Sequence, residues 1–414
     1  MALNYLFEID INGFEKKINK NFIISTFCLT ENNEYEYIYY LVFEEYNDDI
    51  THYILIYKNN VIFKDKPDFI ININEINLLN IKISKIKNSY KTYYYNYQLD
   101  PKSCLFDICI KNIIYFFVGR NPDNSIKIYE VGKEKDNKGK LKYVIPTDSF
   151  VSCLYKKDKN IFFSGHKNGK LFEWKITYNL SYEKINKKKI EIEDKILKIE
   201  LIRDIIAHKS MICCINYIKK HNILITSSYD GNIFIRKYYD FELLSAFETK
   251  QLKTFVKKII YTDYDLLYLL ICYKDKKYLL NSSISLYTLN GLLIESSSFN
   301  NFIDIEPLKN GKIICNINNQ NSLQIFGLNQ KNGTLNKYNY INEYIRKYMV
   351  RREGILNFTY YRKNNFLYVL LEDKSFIGKR VSNLNDIFYN IDKFKSDFEK
   401  HFKMKPVEYL NRIS

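Results

Sequence analysis

The chain has 414 residues, with 63 Lys and Arg against 47 Asp and Glu, so its formal net charge is +16 at pH 7. Aromatic residues make up 16% of the sequence, too many for a disordered chain, and the 13 Gly and 6 Pro exclude collagen-like and linker sequences. No apolar run has the length of a membrane-spanning helix, and acidic residues early in the chain argue against a secretory signal.

The basic excess has two interpretations. A surplus of positive charge favours an anionic partner, such as nucleic acid, an acidic protein or phospholipid headgroups. The chain is also rich in Asn, Lys, Ile and Tyr, and its lysines are spread along its length rather than gathered in a stripe. We therefore interpret most of these lysines as solvated surface positions and keep nucleic-acid binding as the alternative.

In chain order, the predicted elements are short strands with apolar residues at every second position. Examples are 113–118, 125–129 and 232–236, which are rich in Ile and aromatic residues and are bounded by Asn, Asp and Gly. Many short strands at regular spacing predict a sandwich, a barrel or a propeller. A repeated hairpin distinguishes among these folds.

The repeat consists of two strands joined by a tight turn. Its clearest copies are 164–174 and 226–236, in which a hydroxyl lies four residues before a turn Asn or Asp, and Gly follows that residue. A third copy, 119–129, ends on Tyr at the same spacing. The turns of such hairpins are predicted near Asp49, Asp123, Asn168, Asp230, Asn281, Asn319 and Asp373. These turns predict a ring of blades.

The hairpins resemble the blades of WD-repeat β-propellers. That family places a His in the loop before the blade, a Ser or Thr in the second strand, an Asp in the turn and a Trp in the third strand, and it links these side chains by hydrogen bonds. The resemblance implies that His208, Thr226 and Asp230 form three members of such a tetrad. Arg236 stands at the Trp position of this blade.

The preceding hairpin resembles the same pattern. Here the resemblance implies that Ser164, Asn168 and Trp174 form part of a second structural tetrad. Thr147 stands in the place of its His. Neither blade therefore carries the complete pattern.

The resemblance predicts one propeller rather than the two or three domains that the length suggests. We expect an all-β WD-repeat β-propeller of seven blades over residues 1–383, with insertions near 72–100 and 178–200. Residues 384–414 carry Phe and Ile at helical spacing, which predicts an amphipathic helix that packs on the propeller. Its basic polar face makes membrane contact the alternative.

Three segments are similar to the C-terminal propeller of BEACH-domain proteins, which are large trafficking scaffolds. They are the strand 123–129, the hairpin pair within 164–247 and the strand pair 285–294. We recognise no BEACH domain in the chain itself. The resemblance implies protein partners on the propeller faces, a BEACH domain in cis or in trans, and a role in vesicle trafficking or autophagy. It also implies a cytoplasmic location, with peripheral association on endomembranes.

Motifs for catalysis and for cofactor binding are not recognised. Gly is too sparse for a phosphate loop, and no nucleophile elbow occurs. None of the His residues pairs with another at metal-ligand spacing, and the Cys residues form no Cys-x-x-Cys pair. We therefore expect no enzyme activity, no metal and no cofactor, with buried thiols, a structural His208 and an exposed His166.

The candidate partner contacts are basic. Arg236 lies beside the expected tetrad, and Arg346, Arg351 and Arg352 form the densest basic run with aromatic neighbours. Local pairing of Arg236 with an acidic neighbour and a solvated loop around Arg351 are the alternatives. We predict a non-catalytic protein–protein scaffold, and the alternative function is an RNA-associated WD-repeat factor of the ribosome-assembly type.

Overall fold

The computed structural model describes residues 4–10, 22–31, 36–46, 49–58, 69–72, 101–110, 113–131, 139–180, 183–185, 188–190, 195–249, 254–262, 265–274, 280–299, 304–308, 313–316, 323–328, 335–338, 355–361, 366–371 and 375–380. Side chains are described within 103–315, with gaps, and for Phe358. Almost all of these residues lie in antiparallel β-strands. The predicted all-β fold class is confirmed for this part of the chain.

Seven four-stranded sheets are formed by the described residues, and we call them blades 1 to 7. β1 (Asn4–Asp10) precedes blade 1 and pairs elsewhere. Blade 1 comprises β2 (Phe22–Glu31), β3 (Glu36–Tyr46), β4 (Asp49–Lys58) and β5 (Phe69–Asn72). A short 3-10 helix, Pro101–Cys104, leads into blade 2. Blade 2 comprises β6 (Leu105–Ile110), β7 (Ile113–Val118), β8 (Ser125–Val131) and β9 (Lys140–Pro146).

Blade 3 carries an extra ribbon. Its strands are β10 (Val151–Lys156), β11 (Ile161–His166), β12 (Lys170–Leu180) and β15 (Lys195–Ile206). The inserted two-stranded sheet is β13 (Glu183–Ile185) with β14 (Lys188–Ile190). The strands β12 and β15 remain paired as far as Leu180 and Lys195, beyond the point where β11 begins. The charged insertion near 178–200 is thus a long ribbon ending in a small hairpin.

The remaining blades follow in chain order. Blade 4 comprises β16 (Ile212–Ile218), β17 (Ile223–Ser228), β18 (Asn232–Lys237) and β19 (Leu243–Glu248). Blade 5 comprises β20 (Thr254–Tyr261), β21 (Leu266–Lys274), β22 (Leu280–Thr288) and β23 (Leu293–Phe299). Blade 6 comprises β24 (Ile305–Pro307), β25 (Ile313–Asn316), β26 (Leu323–Leu328) and β27 (Leu335–Tyr338). Blade 7 comprises β28 (Ile355–Tyr361), β29 (Phe366–Leu371), β30 (Ser375–Arg380) and β1.

The first strands of the blades form a closed ring. β6, β10, β16, β20, β24 and β28 contact one another in this order, β28 contacts β2, and β2 contacts the 3-10 helix that leads into β6. The ring is also closed by the chain itself, because β1 pairs with β30 and supplies the fourth strand of blade 7. A closed ring of four-stranded antiparallel sheets is a β-propeller. The number of blades in the whole chain stays a prediction.

The core lies between neighbouring blades. Phe106, Phe117 and Phe162 bring ring centroids within 5.3 Å across blades 2 and 3, and Phe162 stacks on Trp174. Second strands are buried on both sides because each blade is covered by two neighbours, and β7 and β17 are buried throughout. Outer strands such as β9 and β19 alternate between covered and exposed residues.

The predicted turns lie where second strands meet third strands. Asp123, Asn168 and Asp230 are in these turns of blades 2, 3 and 4. Asp49 and Asn281 are in the first residues of β4 and β22. The turns near Asn319 and Asp373, most of the insertion near 72–100 and the predicted helix within 384–414 lie outside the described residues.

Candidate interaction site

The ring has two faces. We call the end where the first strands begin the loop face, because the loops between blades lie there together with the turns between second and third strands. We call the other end the turn face, because it carries the turns between first and second strands and those between third and fourth strands. The tetrads that the sequence implies belong to the loop face.

In blade 3, a line of hydrogen bonds joins two strands, β11 and β12, to a loop. Trp174 Nε1 donates to Ser164 Oγ at 2.8 Å, Ser164 Oγ lies 2.8 Å from His166 Nε2, and His166 Nδ1 lies 3.1 Å from the Ser149 carbonyl oxygen. A carbonyl oxygen only accepts, so Nδ1 carries the proton and Ser164 donates to Nε2. Burial lowers the pKa of His166, which keeps the imidazole neutral.

This arrangement corrects two expectations for blade 3. His166 was expected to be exposed, but its side chain is fully buried and takes the place assigned to a His in the loop. Thr147 does not replace it, because its hydroxyl donates to the Asn124 carbonyl at 2.5 Å. Asn168 stays in the turn, where its Oδ1 accepts the Lys170 N–H at 3.2 Å. Of the implied set, Ser164 and Trp174 are brought together and Asn168 is not.

In blade 4, His208 reaches the same position from the loop. Its Nε2 lies 2.8 Å from Thr226 Oγ1, and its ring stacks on Phe234 with centroids 4.4 Å apart. His208 Nδ1 is buried without a hydrogen-bond partner, so the bond expected from Asp230 is not formed. The Asp230 carboxylate instead accepts the Asn232 N–H at 3.0 Å, because an Asp in a tight turn is well placed to close that turn. Burial lowers the pKa of His208 to about 4.

Arg236 fills the Trp position with an internal contact. Its guanidinium donates to the Phe241 carbonyl at 3.1 Å and to the Ala207 carbonyl at 3.2 Å. Burial lowers its pKa, and its Nε is buried without a partner. A half-buried guanidinium held by backbone carbonyls is poorly placed to bind a partner, so the expected partner contact at Arg236 is corrected to a structural one. The expected local pairing with Asp230 or Asp240 is not formed either.

On the loop face, the turn between the second and third strands of a blade is hydrogen-bonded to the loop that follows its fourth strand. In blades 2, 3 and 4, the first residue after the fourth strand donates its backbone N–H to the carbonyl of the last residue in that turn. The pairs are Thr147 with Asn124, Ala207 with Gly169, and Thr249 with Gly231. Gly169 has φ of 80° and lies so close to the loop that an added Cβ would be 2.0 Å from the His208 carbonyl oxygen. Only Gly fits there.

On the turn face between blades 3 and 4, Arg203 packs on the rings of Tyr238 and Phe241. Arg203 donates to the backbone carbonyls of Tyr238 and Tyr239 and forms an ion pair with buried Glu173. Tyr238 donates its hydroxyl to Glu173 at 2.6 Å. The neighbouring Tyr239 side chain is 79% exposed. Arg203 thus holds the backbone beneath an exposed Tyr.

A buried carboxylate links blades 4 and 5 on the same face. Asp265, with φ of 61°, lies 2.8 Å from Lys220 Nζ and 2.8 Å from His221 Nε2, and it accepts the Tyr261 hydroxyl. Burial raises the pKa of Asp265, but the hydrogen bonds from these groups outweigh it and lower the pKa overall. Asp265 lies 44 residues beyond His221, so the residues around His221 do not indicate this contact.

The remaining predictions concern the basic run, the cysteines, metal sites and membrane-spanning helices. Arg346, Arg351 and Arg352 lie outside the described residues. The described cysteines are free thiols, all buried except the half-exposed Cys109, and burial raises the pKa of Cys153 to about 12. In the described part of the chain, no cluster of His, Cys, Asp and Glu is placed to hold a metal ion. Among the same residues, no helix has the length and apolarity to cross a membrane.

No protein-family model and no curated protein matches this chain. Among solved structures, it is similar to a chain of the crystal structure of the mitotic checkpoint complex, with 10% identity over 87% of this chain and 93% of that chain, and a TM-score of 0.49. It is also similar to the computationally designed Ika8 protein, with 12% identity over 86% of this chain and 96% of that chain, and a TM-score of 0.43. The propeller assignment therefore depends on the closed ring of sheets itself.

Proposed function

We propose that this chain is a non-catalytic scaffold that binds protein partners through the faces of its propeller. The observation that carries the proposal is Tyr239, which is 79% exposed in a turn whose backbone Arg203 holds. Tyr and Arg are enriched among the residues that anchor protein interfaces. A side chain on an already ordered turn loses little conformational entropy on binding.

The imidazoles favour the non-catalytic interpretation. A general base has to come within hydrogen-bond distance of its substrate. His166 is fully buried and His208 is 3% exposed, and both are bonded to hydroxyls of their own blades. His221 is bonded to Asp265 and Tyr261. These contacts support structural roles for the three side chains.

Affinity purification with quantitative mass spectrometry tests the scaffold proposal. We expect Tyr239→Ser to reduce the recovery of specific partner proteins about tenfold, because an exposed aromatic anchor is worth about 1–2 kcal/mol or more at an interface. Tyr178→Ser, which removes another half-exposed Tyr from the ribbon, is the matched control. Recovery that is unchanged by Tyr239→Ser but lowered by the control would contradict the assignment of this surface.

We further propose that the partners belong to vesicle trafficking or autophagy and include a BEACH domain in cis or in trans. The similarity of segments 123–129 and 285–294 to BEACH-type propellers supports this. A cytoplasmic location, peripheral on endomembranes, follows from the same similarity. Co-expression with an isolated BEACH domain and flotation with endomembrane vesicles test the two parts. A BEACH domain that does not co-purify, together with a chain that stays at the bottom of the gradient, would count against this assignment.

RNA binding is the second candidate function. In the β13–β14 hairpin, Lys184 lies directly opposite Lys189, and Ile185 opposite Lys188. Like charges opposite one another destabilise a two-stranded sheet, so an anionic partner would relieve this repulsion. Binding of a labelled oligo(U) that falls steeply from low to physiological salt, and falls further with Lys184→Ser and Lys189→Ser, would favour this candidate. Weak binding that is unaffected by the hairpin substitutions would argue against it.

A further inference from the structure

A groove of about 370 Å³ opens on the turn face where the first strands of blades 4, 5 and 6 end. Its rim is the β16–β17 turn with Lys219 and Lys220, and its walls include Lys258 of β20 and Glu306 of β24. The exposed Tyr239 belongs to the turn between β18 and β19 and does not line this groove. The groove is therefore a separate surface of the same face.

Basic side chains outnumber acidic ones among the residues that line this groove. Three lysines line it, and Glu306 is the acid among its lining residues. Lys220 has its counter-ion in Asp265, whose side chain is only 4% exposed and lies outside the lining, whereas Lys258 pairs with Asp304 and with Glu306 of the groove itself. An approaching carboxylate thus meets the exposed ammonium groups of Lys219 and Lys220 before it reaches the buried Asp265. This placement makes the groove attractive to anions despite the internal ion pairs.

Lys219 differs from the other two lysines. It is exposed on the rim, and no ion pair or hydrogen bond engages its ammonium group in the described part of the chain. Lys220 is 55% exposed and gives one of its three N–H groups to Asp265. Both lysines can therefore donate outward. Two adjacent ammonium groups on one turn fit a pair of carboxylates on an extended chain.

The groove also has apolar walls. Tyr261 and Pro307 are partly exposed lining residues, whereas Ile259 and Ile260 are each only 4% exposed and pack into the cores on either side of β20. Apolar surface of this kind can cover an aliphatic or aromatic side chain, while backbone groups of a bound peptide face the polar rim. A ligand with both carboxylates and an apolar side chain matches these walls better than a simple anion does.

We propose that this groove binds a short acidic segment of a partner protein, with carboxylates at Lys219 and Lys220 and an apolar side chain against Tyr261 and Pro307. This proposal rests on the proposed scaffold function and names the chemistry of one of its partners. The net charge of +16 would speed the approach of such a segment from any direction.

A nucleic acid fits the groove less well. Single strands are bound along a continuous positive track with open aromatic faces for base stacking. Here Glu306 interrupts the positive surface. The Tyr217 ring is already covered by Lys157, whose Nζ lies 5.1 Å from the ring centroid. These two contacts favour a peptide over RNA.

Fluorescence anisotropy of the full chain tests this proposal with a fluorescein-labelled, glutamate-rich decapeptide that has Leu and Phe at its centre. We expect Lys219→Glu to raise the dissociation constant about tenfold, as expected for the reversal of one close charge contact. Glu306→Gln should lower it about threefold, because an acid is removed from the groove while Lys258 retains Asp304.

Lys209→Glu is the matched control, since Lys209 is exposed on the loop face and the charge change is the same. It should change the affinity less than twofold. Thermal unfolding of each variant shows whether the fold is intact. Equal losses for Lys219→Glu and Lys209→Glu would mean that net charge alone drives binding, and this result would overturn the proposal.

Three other results are decisive. Absence of peptide binding overturns the groove proposal, and if Tyr239-dependent recovery of partners persists, the scaffold function stands without it. Binding of oligo(U) that is abolished by Lys219→Glu makes the groove a nucleic-acid site and also overturns the proposal. Peptide binding that needs Lys219, in a chain whose Tyr239→Ser variant loses no partner, supports the groove and rejects the Tyr239 surface.

Discussion

At the scale of single residues, blades 3 and 4 each bury an imidazole at the same position between blade and loop. The two histidines come from different places in the repeat. In blade 3 it is His166, two residues after Ser164 in the same strand. In blade 4 it is His208, which comes from the loop and reaches Thr226. Each ring packs on the equivalent Phe of the third strand. The position requires a flat group that binds a hydroxyl, and either route provides one.

Ser164→Ala should destabilise the protein by about 2–3 kcal/mol. The substitution leaves the indole N–H of Trp174 and the Nε2 of His166 buried without their shared partner. Urea unfolding measures the loss. Ser164→Thr keeps the hydroxyl, as Thr226 does in blade 4, and should lose much less. A cost below about 0.5 kcal/mol for the alanine variant would show that the hydrogen-bonded line has little weight in stability.

Acid should weaken the fold through His208. Its pKa is lowered from 6.5 to about 4 in the folded protein, so the unfolded chain binds this proton first as the pH falls. The free energy of unfolding is therefore unaffected above pH 6.5 and decreases between pH 6.5 and about 4. The loss from this residue is at most about 3 kcal/mol.

Chemical denaturation across this pH range measures the His208 contribution. His208→Gln cannot titrate there and should show a shallower dependence of stability on pH. The burial of His166 acts in the same direction, so some dependence should remain in this variant. Identical slopes for the variant and the unsubstituted protein would contradict a buried neutral imidazole at position 208.

The sequence reveals part of this residue-level arrangement. The resemblance to WD repeats implied the contact between Ser164 and Trp174, and the register makes them diagonal neighbours, since Ser164 lies opposite Phe172. His166 was missed because the repeat pattern assigns the His to a loop. The available signal was its position two residues after Ser164, on the same side of the strand. Arg236 was misassigned because one of its carbonyl partners, Ala207, lies 29 residues away in the loop before the blade.

At the scale of elements, the turn between the second and third strands of a blade positions the loop that leads into the next blade. Gly169 both closes a hairpin and accepts the N–H groups of Ala207 and His208. The loop that carries His208 is therefore positioned by the turn of the preceding blade. A change in that turn should act on the neighbouring blade as well as on its own.

Gly169→Ala should destabilise the protein by about 3 kcal/mol or more. The new Cβ would overlap the His208 carbonyl, and the backbone has φ of 80°. Differential scanning calorimetry should show a lower unfolding temperature. Hydrogen exchange should show faster exchange at the Ala207 and His208 amides. Lys167→Ala, an exposed change in the same turn, is the control, and an equal effect of the two variants would contradict the close approach.

Sequence patterns predict the strands and turns more completely than they predict the contacts of individual side chains. Asn or Asp followed by Gly predicts the turns of blades 3 and 4, and in both turns it is the Gly, Gly169 or Gly231, that adopts positive φ. The insertion near 178–200 was recognised from its charge. Its pairing as a ribbon of β12 with β15 was not, because the register depends on contacts that the local composition does not encode.

At the scale of the whole molecule, the ring is closed by two ends of the chain. The register runs from Asn4 opposite Arg380 to Asp10 opposite Ser375. Without β1, the outer edge of β30 would be unpaired and blade 7 would have three strands. Deletion of residues 1–10 should therefore lower the unfolding temperature by roughly 10 °C and increase aggregation. Calorimetry and light scattering measure both effects.

Adding the missing strand as a separate peptide provides the control for this deletion. A synthetic peptide of residues 1–10 should restore part of the lost stability if the gap in blade 7 is the cause, because a ligand that binds only the folded state stabilises it. A peptide of the same composition in scrambled order should not. No change in unfolding temperature on deletion would contradict the contribution of β1 to the ring.

The pairing of β1 with β30 also sets an order of events during synthesis. Roughly 365 residues separate the two strands, so β1 leaves the ribosome long before its partner exists. At about 5–20 residues per second, this strand waits for tens of seconds with an unpaired edge. During that interval the nascent chain can make other sheets but cannot complete its ring. A chaperone that binds β1 would therefore keep its unpaired edge from pairing with other strands until β30 has been synthesised.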